Sequence, residues 1–151
     1  MDISFRLFKP GDIDNVSRFL LSRKLNYREY DVWLSKALEE LRWGCKDAVL
    51  GFNEGNLVSN LIFQDCKHLK NFCELKNARI VEELERRYFL SFMTRQAEVI
   101  SKQEGKLGMI CDARTDRLDV LNAFRMAGYK EVARIDLYGE NYEDVVLMKS
   151  F

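Results

Sequence analysis

The chain has 151 residues, of which 47% are hydrophobic and 32% are charged, so we expect one globular domain spanning residues 1–151. Its 24 basic residues balance its 24 acidic residues, which leaves no overall field that would favour nucleic acid or a membrane surface as a partner. No apolar run is long enough to span a bilayer, and the first residues lack the apolar core of a signal peptide. We therefore expect a cytoplasmic protein.

The cysteines and the histidine argue against a metal centre. Cys45, Cys66, Cys73 and Cys111 are scattered and form no CxxC pair, so we expect reduced thiols and no metal site. His68 is the only histidine in the chain, and no clustered thiolates accompany it as zinc ligands. A Ser-His-Asp hydrolase would depend on this one residue.

The first third of the chain predicts a strand and two helices. Residues 3–8 alternate apolar and polar side chains, which favours a strand. Pro10 and Gly11 interrupt the alternation, and Asp12 is placed to cap a helix. Residues 30–43 fit a second amphipathic helix.

Two strands and a tight turn are predicted next. Residues 47–52 and 56–63 are rich in apolar and β-branched side chains, and residues 53–56 between them read Asn-Glu-Gly-Asn. This turn sequence is a strong signal for a short β-hairpin.

A strand followed closely by a long helix forms the centre of the chain. Residues 72–81 predict a strand buried mainly on one face, and an amphipathic helix is expected from Glu83 to a left-handed cap at Gly105. A strand that leads into a helix places free backbone N–H groups at the junction, which suits a phosphate group. The inner face of the helix is predicted to carry Leu84, Phe89, Phe92, Met93, Gln96, Val99 and Ile100.

The last third predicts an interior strand at residues 107–111, a helix that starts near Asp116 and ends at Gly128, and strands at residues 131–138 and 144–148. The full order is therefore β-α-α-β-β-β-α-β-α-β-β. This order indicates an α/β (mixed α+β) fold with a central mixed sheet of about seven strands flanked by four helices.

This order, closed by Met-Ala-Gly-Tyr at residues 126–129, resembles the GNAT acetyltransferase superfamily over essentially the whole chain. Within the superfamily, residues 74–77 (Glu-Leu-Lys-Asn), 112–113 (Asp-Ala) and 136–138 (Asp-Leu-Tyr) resemble a subset of small members. The resemblance implies the GNAT-like acyl-CoA N-acyltransferase fold, with acetyl-CoA as co-substrate and direct acetyl transfer to an amine of a small molecule or a peptide. It also implies that the pantetheine arm lies between the fourth and fifth strands, which splay apart.

The resemblance also locates a pyrophosphate loop, but this chain departs from its pattern. In the superfamily the loop reads Gln/Arg-x-x-Gly-x-Gly/Ala at the start of the third helix, where glycines let phosphate oxygens approach the backbone amides. Here Glu85 takes the first position, and Tyr88 and Leu90 take the two glycine positions. An alignment shifted by one residue uses instead Arg86, Phe89 and Ser91.

Neither alignment supplies a glycine, so Arg86 and Arg87 are predicted to compensate by contacting phosphate through their side chains. Alternatively, these two arginines are only the solvated start of a helix. The cofactor-binding residues that the resemblance implies are Ile80, Val81, Arg86, Arg87, Tyr88, Phe89, Leu90, Ser91, Arg117 and Phe124.

Glu74 is the candidate catalytic residue. It lies six residues before Ile80 on the predicted fourth strand, which by resemblance is the position of the general base in histone-type members. A base is needed because only the neutral amine attacks the thioester. Alternatively, Glu74 is a strand-edge carboxylate paired with Lys76 or Arg79 and has no chemical role.

The proton donor of the superfamily is missing. The leaving thiolate usually receives a proton from a tyrosine four residues before the closing glycine, and this position is Phe124 here. Arg117 replaces the asparagine that commonly opens this segment, but water can protonate a thiolate. Together with the two absent glycines, this loss supports an alternative function, a GNAT-fold module that has lost catalysis and binds a ligand or a protein partner.

Other features leave further possibilities open. Tyr27, Tyr30 and Trp33 lie where the first two helices wall the acceptor side in the superfamily, although core packing of an amphipathic helix explains Trp33 better. A covalent route through Cys73 or Cys111 would need a depressed thiol pKa. An edge strand within residues 131–148 could support a homodimer.

Overall fold

The computed structural model describes residues 1–26 and 28–151. Strands and helices follow one another in the predicted order, with two short 3-10 turns added. The strands are β1 (Ile3–Leu7), β2 (Asp47–Asn53), β3 (Asn56–Asp65), β4 (Phe72–Ile80), β5 (Gly108–Arg114), β6 (Lys130–Ile135) and β7 (Asp144–Ser150). The helices are α1 (Ile13–Leu21), α2 (Tyr30–Arg42), α3 (Phe89–Gln103) and α4 (Leu118–Met126).

The seven strands form one mixed sheet in the order β1-β2-β3-β4-β5-β7-β6. All neighbours pair antiparallel except β4 and β5, which are parallel. A parallel pair needs a crossover, and α3 supplies it between the end of β4 and the start of β5. This confirms the predicted mixed sheet flanked by four helices.

Helices cover both faces of the sheet, so strands β2 and β3 are apolar on both faces. One core lies under α3 and α4 and includes Met93, Ala97 and Leu121, and the other lies under α1 and α2 and includes Leu20 and Leu34. Neighbouring residues of β2 alternate between the two cores, as a strand requires. In the described part of the chain, no helix combines the length and the apolar character needed to cross a membrane.

The predicted hairpin between β2 and β3 is confirmed. Glu54 and Gly55 form its two-residue turn, with φ of 51° and 80°. Two consecutive left-handed residues give the turn a twist that matches that of the strands, which explains the Gly at the second position.

The predicted start of the third helix is wrong. Residues 82–84 form a 3-10 turn, and α3 begins only at Phe89. Arg86 and Tyr88 have left-handed backbones, with φ of 61° and 67°, and such residues cannot continue the hydrogen bonds of a right-handed helix. Leu84 packs with Val58 and Phe89 beside the helix instead of lying on its inner face.

The inner face of α3 is also rotated from the predicted one. Phe89, Met93 and Ala97 are buried at a spacing of four residues, whereas Phe92 and Val99 are about half exposed. Buried Thr94, Glu98 and Ser101 complete the face. Polar residues therefore occupy core-facing positions that a search for apolar periodicity does not find.

Asp12 is the N-cap residue of α1, as predicted, but its side chain makes no capping hydrogen bond to that helix. It ends the 3-10 turn Pro10–Asp12, and its carboxylate accepts hydrogen bonds from the backbone N–H of Lys9 (2.8 Å) and from the Arg6 guanidinium (2.7 and 2.8 Å). The hydrogen bonds from Arg6 lower the pKa of Asp12. This ion pair attaches β1 to the start of α1.

The strand packing around Gly108 provides a test of the fold. A Cβ atom at this position would lie 2.3 Å from the carbonyl oxygen of Lys149 and 2.4 Å from Cε1 of Phe72. We expect Gly108→Ala to lower the free energy of unfolding by at least about 1–3 kcal/mol, measured by urea denaturation. A Cβ at Gly11 would meet nothing within 4 Å, so Gly11→Ala is the control and should have little effect. Equal stability of the two variants would contradict this packing.

Candidate functional site

Strands β4 and β5 pair along only part of their length. Three residue pairs join them, from Phe72–Gly108 to Glu74–Ile110. Beyond this point β4 continues to Ile80 without pairing with β5, and the two strands separate. A groove of about 1760 Å³ opens there, larger than a typical drug-sized pocket and suited to a long ligand.

A β-bulge in β4 causes the separation. Lys76 lies opposite Ile62 of β3, but Arg79 lies opposite Asn60, so β4 contains one extra residue in this stretch. Asn77 within it has a left-handed backbone with a φ of 50°. An extra residue bends a strand and increases its local twist, so the end of β4 turns away from β5.

Side chains on the α2 face hold the bulge. The hydroxyl of Tyr30 donates a hydrogen bond to Oδ1 of Asn77 (3.0 Å). Nδ2 of Asn60 donates a hydrogen bond to the backbone carbonyl oxygen of Asn77 (3.3 Å). Tyr30 is buried and stacks on Trp33, with ring centroids 5.9 Å apart. The two aromatic residues predicted to form the acceptor wall therefore have different positions. Tyr30 supports the bulge, while half-buried Trp33 lines the groove. Tyr27 lies outside the described residues.

The start of α3 lies at the edge of the groove. The first N–H groups of a helix have no intrahelical partner, and here they belong to residues 89–91. Most of the predicted cofactor-binding residues line the groove, whereas Val81 packs into the hydrophobic core and exposed Arg87 lies beside the groove. Those in its wall are Ile80, Arg86, Tyr88, Phe89, Leu90, Ser91, Arg117 and Phe124.

The backbone at Tyr88 bears on the choice between the two loop alignments. Tyr88 is left-handed, a conformation that glycine adopts without strain. This favours the alignment that places Tyr88 at the first glycine position and Glu85 at the first position of the loop. The side chain of Tyr88 is 72% exposed, so it projects from the loop rather than filling the core.

The charge of the groove differs from that of the chain. Among the described residues of its wall, ten are basic and seven are acidic, although the whole sequence is neutral. Arg86 and Arg95 are exposed and make no hydrogen bond or ion pair with a described residue. Arg117 is paired with Asp119 at 3.4 Å.

A chain of charged groups crosses the point where β4 and β5 separate. Oε1 of Glu74 lies 2.8 Å from Nζ of Lys76, and Nζ of Lys76 lies 3.6 Å from Oδ1 of Asp112 on β5. The hydroxyl of Tyr138, from the loop between β6 and β7, donates a hydrogen bond of 2.8 Å to Oδ2 of Asp112. Gln64 donates from Nε2 to Oε2 of Glu74 at 3.3 Å.

Lys76 is the centre of this chain. Burial alone would lower the pKa of its ammonium, but the charge of Asp112 and the hydrogen bond and charge of Glu74 outweigh burial and raise it. Lys76 is therefore a fixed cation across the neutral range. Of the two alternatives for Glu74, its pairing with Lys76 is observed, while its role as a base stays a prediction.

The sequence analysis offered a pairing of Glu74 with Lys76 or Arg79, but it did not predict that Asp112 and Tyr138 join this pair. The three short segments that carry the resemblance, residues 74–77, 112–113 and 136–138, come together at this point of the structure. The contacts between the segments form only when the chain folds. The sequence therefore indicated each segment separately and not their contacts. Lys76, Asp112 and Tyr138 are thus the site residues that the sequence analysis missed.

The aromatic residues near the end of α4 form packing contacts. Phe124 is buried and meets Tyr129 edge to face at 5.1 Å. The Tyr129 hydroxyl donates to Oε1 of Glu98 (3.0 Å), and Lys149 pairs with the other oxygen of Glu98 at 2.9 Å. Burial and the charge of Glu98 raise the pKa of Tyr129, so this phenol is a poor proton donor.

The two strand cysteines are poor nucleophiles. Cys73 and Cys111 are buried, and burial raises the pKa of each thiol. A covalent route needs a thiolate, so the structure disfavours it.

Two loops enclose the end of the groove near Asp112. The backbone N–H of Arg28, between α1 and α2, donates a hydrogen bond of 3.0 Å to Oε1 of Glu140, between β6 and β7. Trp33, Lys76 and Tyr138 also line the groove.

Comparison with known proteins identifies the fold. No family model and no curated protein matches the amino-acid sequence. Solved structures do match: the GNAT-family acetyltransferase from Streptococcus pneumoniae has a TM-score of 0.77 at 13% identity and covers 99% of both chains. The ribosomal-protein-S18-alanine N-acetyltransferase from Escherichia coli has a TM-score of 0.76 at 10% identity. The aligned region covers 99% of this chain and 94% of the Escherichia coli chain.

A third match is the PaiA N-acetyltransferase from Thermoplasma acidophilum, solved in complex with coenzyme A. It has a TM-score of 0.74 at 13% identity and covers 100% of both chains. These similarities establish that the chain has the GNAT fold, as the order of its elements predicted.

The link through Lys76 can be tested by removing its charge. We expect Lys76→Met to lower the free energy of unfolding at pH 7 by about 2–3 kcal/mol, because it leaves Glu74 and Asp112 without their cation. The pKa of Lys76 is higher in the folded than in the unfolded chain, so its stabilising effect is complete below about pH 10.4 and is lost as the pH rises further. Urea denaturation should therefore show a difference from wild type that narrows above this pH.

The control is Lys24→Met, which removes an exposed ion pair with Asp31 (2.9 Å) and should cost less than about 1 kcal/mol. A Lys76→Met protein as stable as this control would show that the buried link contributes nothing.

Proposed function

We propose that the protein is an N-acetyltransferase that binds acetyl-CoA in the groove and transfers the acetyl group directly to an amine. The observation that carries the proposal is the bulge at Asn77, which opens the parallel pair β4–β5 beside the start of α3 in a GNAT fold. Among the described residues, β4 and β5 are the only neighbouring strands that separate in this way, so the groove is the only opening in the sheet there.

The groove has groups that match each part of acetyl-CoA. The facing edges of β4 and β5 carry backbone N–H and C=O groups that are not used in pairing beyond Glu74, and the pantetheine arm contains two amides that can bond to them. The hydroxyl of Thr94 is buried in the wall without a hydrogen-bond partner among the described residues.

The pyrophosphate is proposed to bind at the start of α3. Its negative charge suits the free N–H groups of residues 89–91 and the positive end of the helix dipole. Arg86 and Arg117 also line the groove and are two further cations for this group. Val81 packs against the hydrophobic core and Arg87 is exposed beside the groove, so only Arg87 would reach the ligand, at its exposed end.

The chemical step is proposed to use Glu74 as the base. Glu74 removes one proton from the acceptor ammonium, and the neutral amine attacks the thioester carbon. The carbon–sulfur bond then breaks to release CoA as a thiolate, and the nitrogen loses its second proton to water as the amide forms. Phe124 has no proton to give, so the thiolate receives its proton from water. The acceptor is a small-molecule or peptide amine.

The role of Glu74 is tested by Glu74→Gln. The amide keeps the shape of the side chain and cannot accept the amine proton, so kcat should fall by about 10²–10⁴-fold while CoA binding is unchanged. Transfer is measured by release of free CoA with a panel of amines. Glu39→Gln, an exposed position on α2, is the control and should retain full activity. An unchanged rate in Glu74→Gln would remove Glu74 from the mechanism.

The loop without glycine gives a second test. Tyr88→Gly removes a bulky side chain from a left-handed position, so we expect the dissociation constant of CoA to decrease several-fold without loss of stability. Glu54→Gly makes the same change at a left-handed position of the β2–β3 turn, far from the groove, and should leave CoA binding unaltered. Weaker CoA binding by Tyr88→Gly would show that the tyrosine contributes a contact instead of blocking access.

A second candidate is a GNAT-fold module without catalysis that binds a ligand or a protein partner. It is supported by the bulky Tyr88 and Leu90 at the glycine positions and by Phe124 in place of a tyrosine. Strand β6 is an edge of the sheet with Val132 half exposed, which leaves room for a homodimer through this edge. CoA binding without transfer to any amine would favour this candidate.

A further inference from the structure

A second cavity, of about 220 Å³, lies next to Glu74 on the face of the sheet that α2 covers. The carboxylate of Glu74 and the ammonium of Lys76 form its wall on β4, and Lys67 and His68 from the β3–β4 connection form its outer rim. Trp33, Lys36 and Lys76 line both this cavity and the groove, so the two spaces adjoin at these residues.

The wall of the cavity is positively charged. Four lysines line it against two glutamates, Glu40 and Glu74, and Asp112 lies 3.6 Å from Lys76, which leaves an excess of one positive charge with His68 neutral. An excess of one sign in a partly enclosed space of low dielectric attracts an ion of the opposite sign. The lysines are Lys36, Lys46, Lys67 and Lys76.

The two carboxylates do not neutralise the full positive charge of the four lysines. Glu40 is shared between Lys46 at 2.9 Å and Lys36 at 3.7 Å, and Glu74 is taken by Lys76. Lys46 is 92% buried, since only 8% of the residue is exposed, so its charge is screened little by water. Lys67 makes no hydrogen bond or ion pair with any described residue. The arrangement therefore holds unpaired positive charge beside the candidate base.

The position of Glu74 connects this cavity to the reaction. Among the described residues, Glu74 lines the small cavity and does not line the groove. An amine that Glu74 deprotonates must therefore lie where the two spaces adjoin, next to Lys76. The rest of a small acceptor then extends into the cavity, among the lysines.

We propose that the small cavity binds the anionic group of the acceptor, so that the substrate is a small amine that also carries a carboxylate or a phosphate. This inference rests on the proposed function for the amine, but anion binding in the cavity stands without it. The volume of the small cavity is sufficient for a group of several non-hydrogen atoms but is too small for a folded peptide. Lys36, Lys67 and His68 are the exposed side chains of the cavity wall that can contact the anion.

Anion binding is tested by NMR on the full chain without CoA. His68 is the only histidine, so its ring resonances are identified without assignment. Sodium phosphate and sodium acetate, titrated separately against sodium chloride at equal ionic strength, should shift these resonances with saturation at millimolar concentration. Lys67→Gln should weaken the binding by roughly tenfold, whereas Lys130→Gln on β6 should not change it. The stronger of the two anions identifies the group.

The acceptor class is tested with matched amines in the transfer assay. Phosphoethanolamine is compared with ethanolamine, and 4-aminobutyrate with propylamine. We expect kcat/KM at least roughly tenfold higher for the anionic member of the better pair, and Lys67→Gln should raise KM for that amine without lowering kcat.

Absence of a saturable anion effect on His68, or equal kcat/KM within both pairs, would overturn the inference and leave the proposed function intact. Failure of CoA to bind would overturn the proposed function, while a saturable anion effect would still support the cavity as an anion site.

Discussion

The groove depends on the left-handed backbone of one residue, Asn77. This residue lies in the bulge of β4. Without the bulge, β4 would be straight and could pair with β5 along its whole length, which would close the groove. Two hydrogen bonds oppose this, one from Tyr30 to the side chain of Asn77 and one from Asn60 to its carbonyl oxygen. Asparagine suits the position because its short polar side chain tolerates a left-handed backbone and accepts one of these bonds.

Lys76 acts where backbone pairing ends. The last paired residues of β4 and β5 are Glu74 and Ile110, and the Lys76 ammonium lies just beyond them, between Glu74 and Asp112. A side-chain ion pair thus joins the two strands at the point where hydrogen bonds between their backbones stop. The same ammonium separates the groove from the small cavity, so one cation fixes both the shape and the charge of the candidate site.

Much of the fold could be predicted from the sequence, because periodicity and turn residues determine the type and order of the elements. The start of α3 could not, since Arg86 and Tyr88 carry no turn signal and adopt left-handed backbones only in the folded chain. The burial of Thr94 and Glu98 was missed for a related reason, because apolar periodicity does not detect polar residues that have a function or a partner in the interior.

The candidate site was predictable only in pieces. Glu74 and Lys76 were recognised as neighbours on one strand, and the structure confirms their ion pair. Asp112 and Tyr138 come from other parts of the chain, and single-sequence reasoning gives no contact between them. The loop before α3 illustrates the opposite case, because most of the residues that the resemblance singled out there line one groove, although no glycine is present. Pyrophosphate binding by this loop stays a prediction.

Calorimetric titration of acetyl-CoA into the wild-type protein, with desulfo-CoA alongside, tests whether the groove binds the co-substrate. We expect one molecule bound per chain with a dissociation constant in the micromolar range, for both ligands. No heat of binding at millimolar ligand would contradict this expectation, and would show that the groove beside Asn77 serves a purpose other than acetyl transfer.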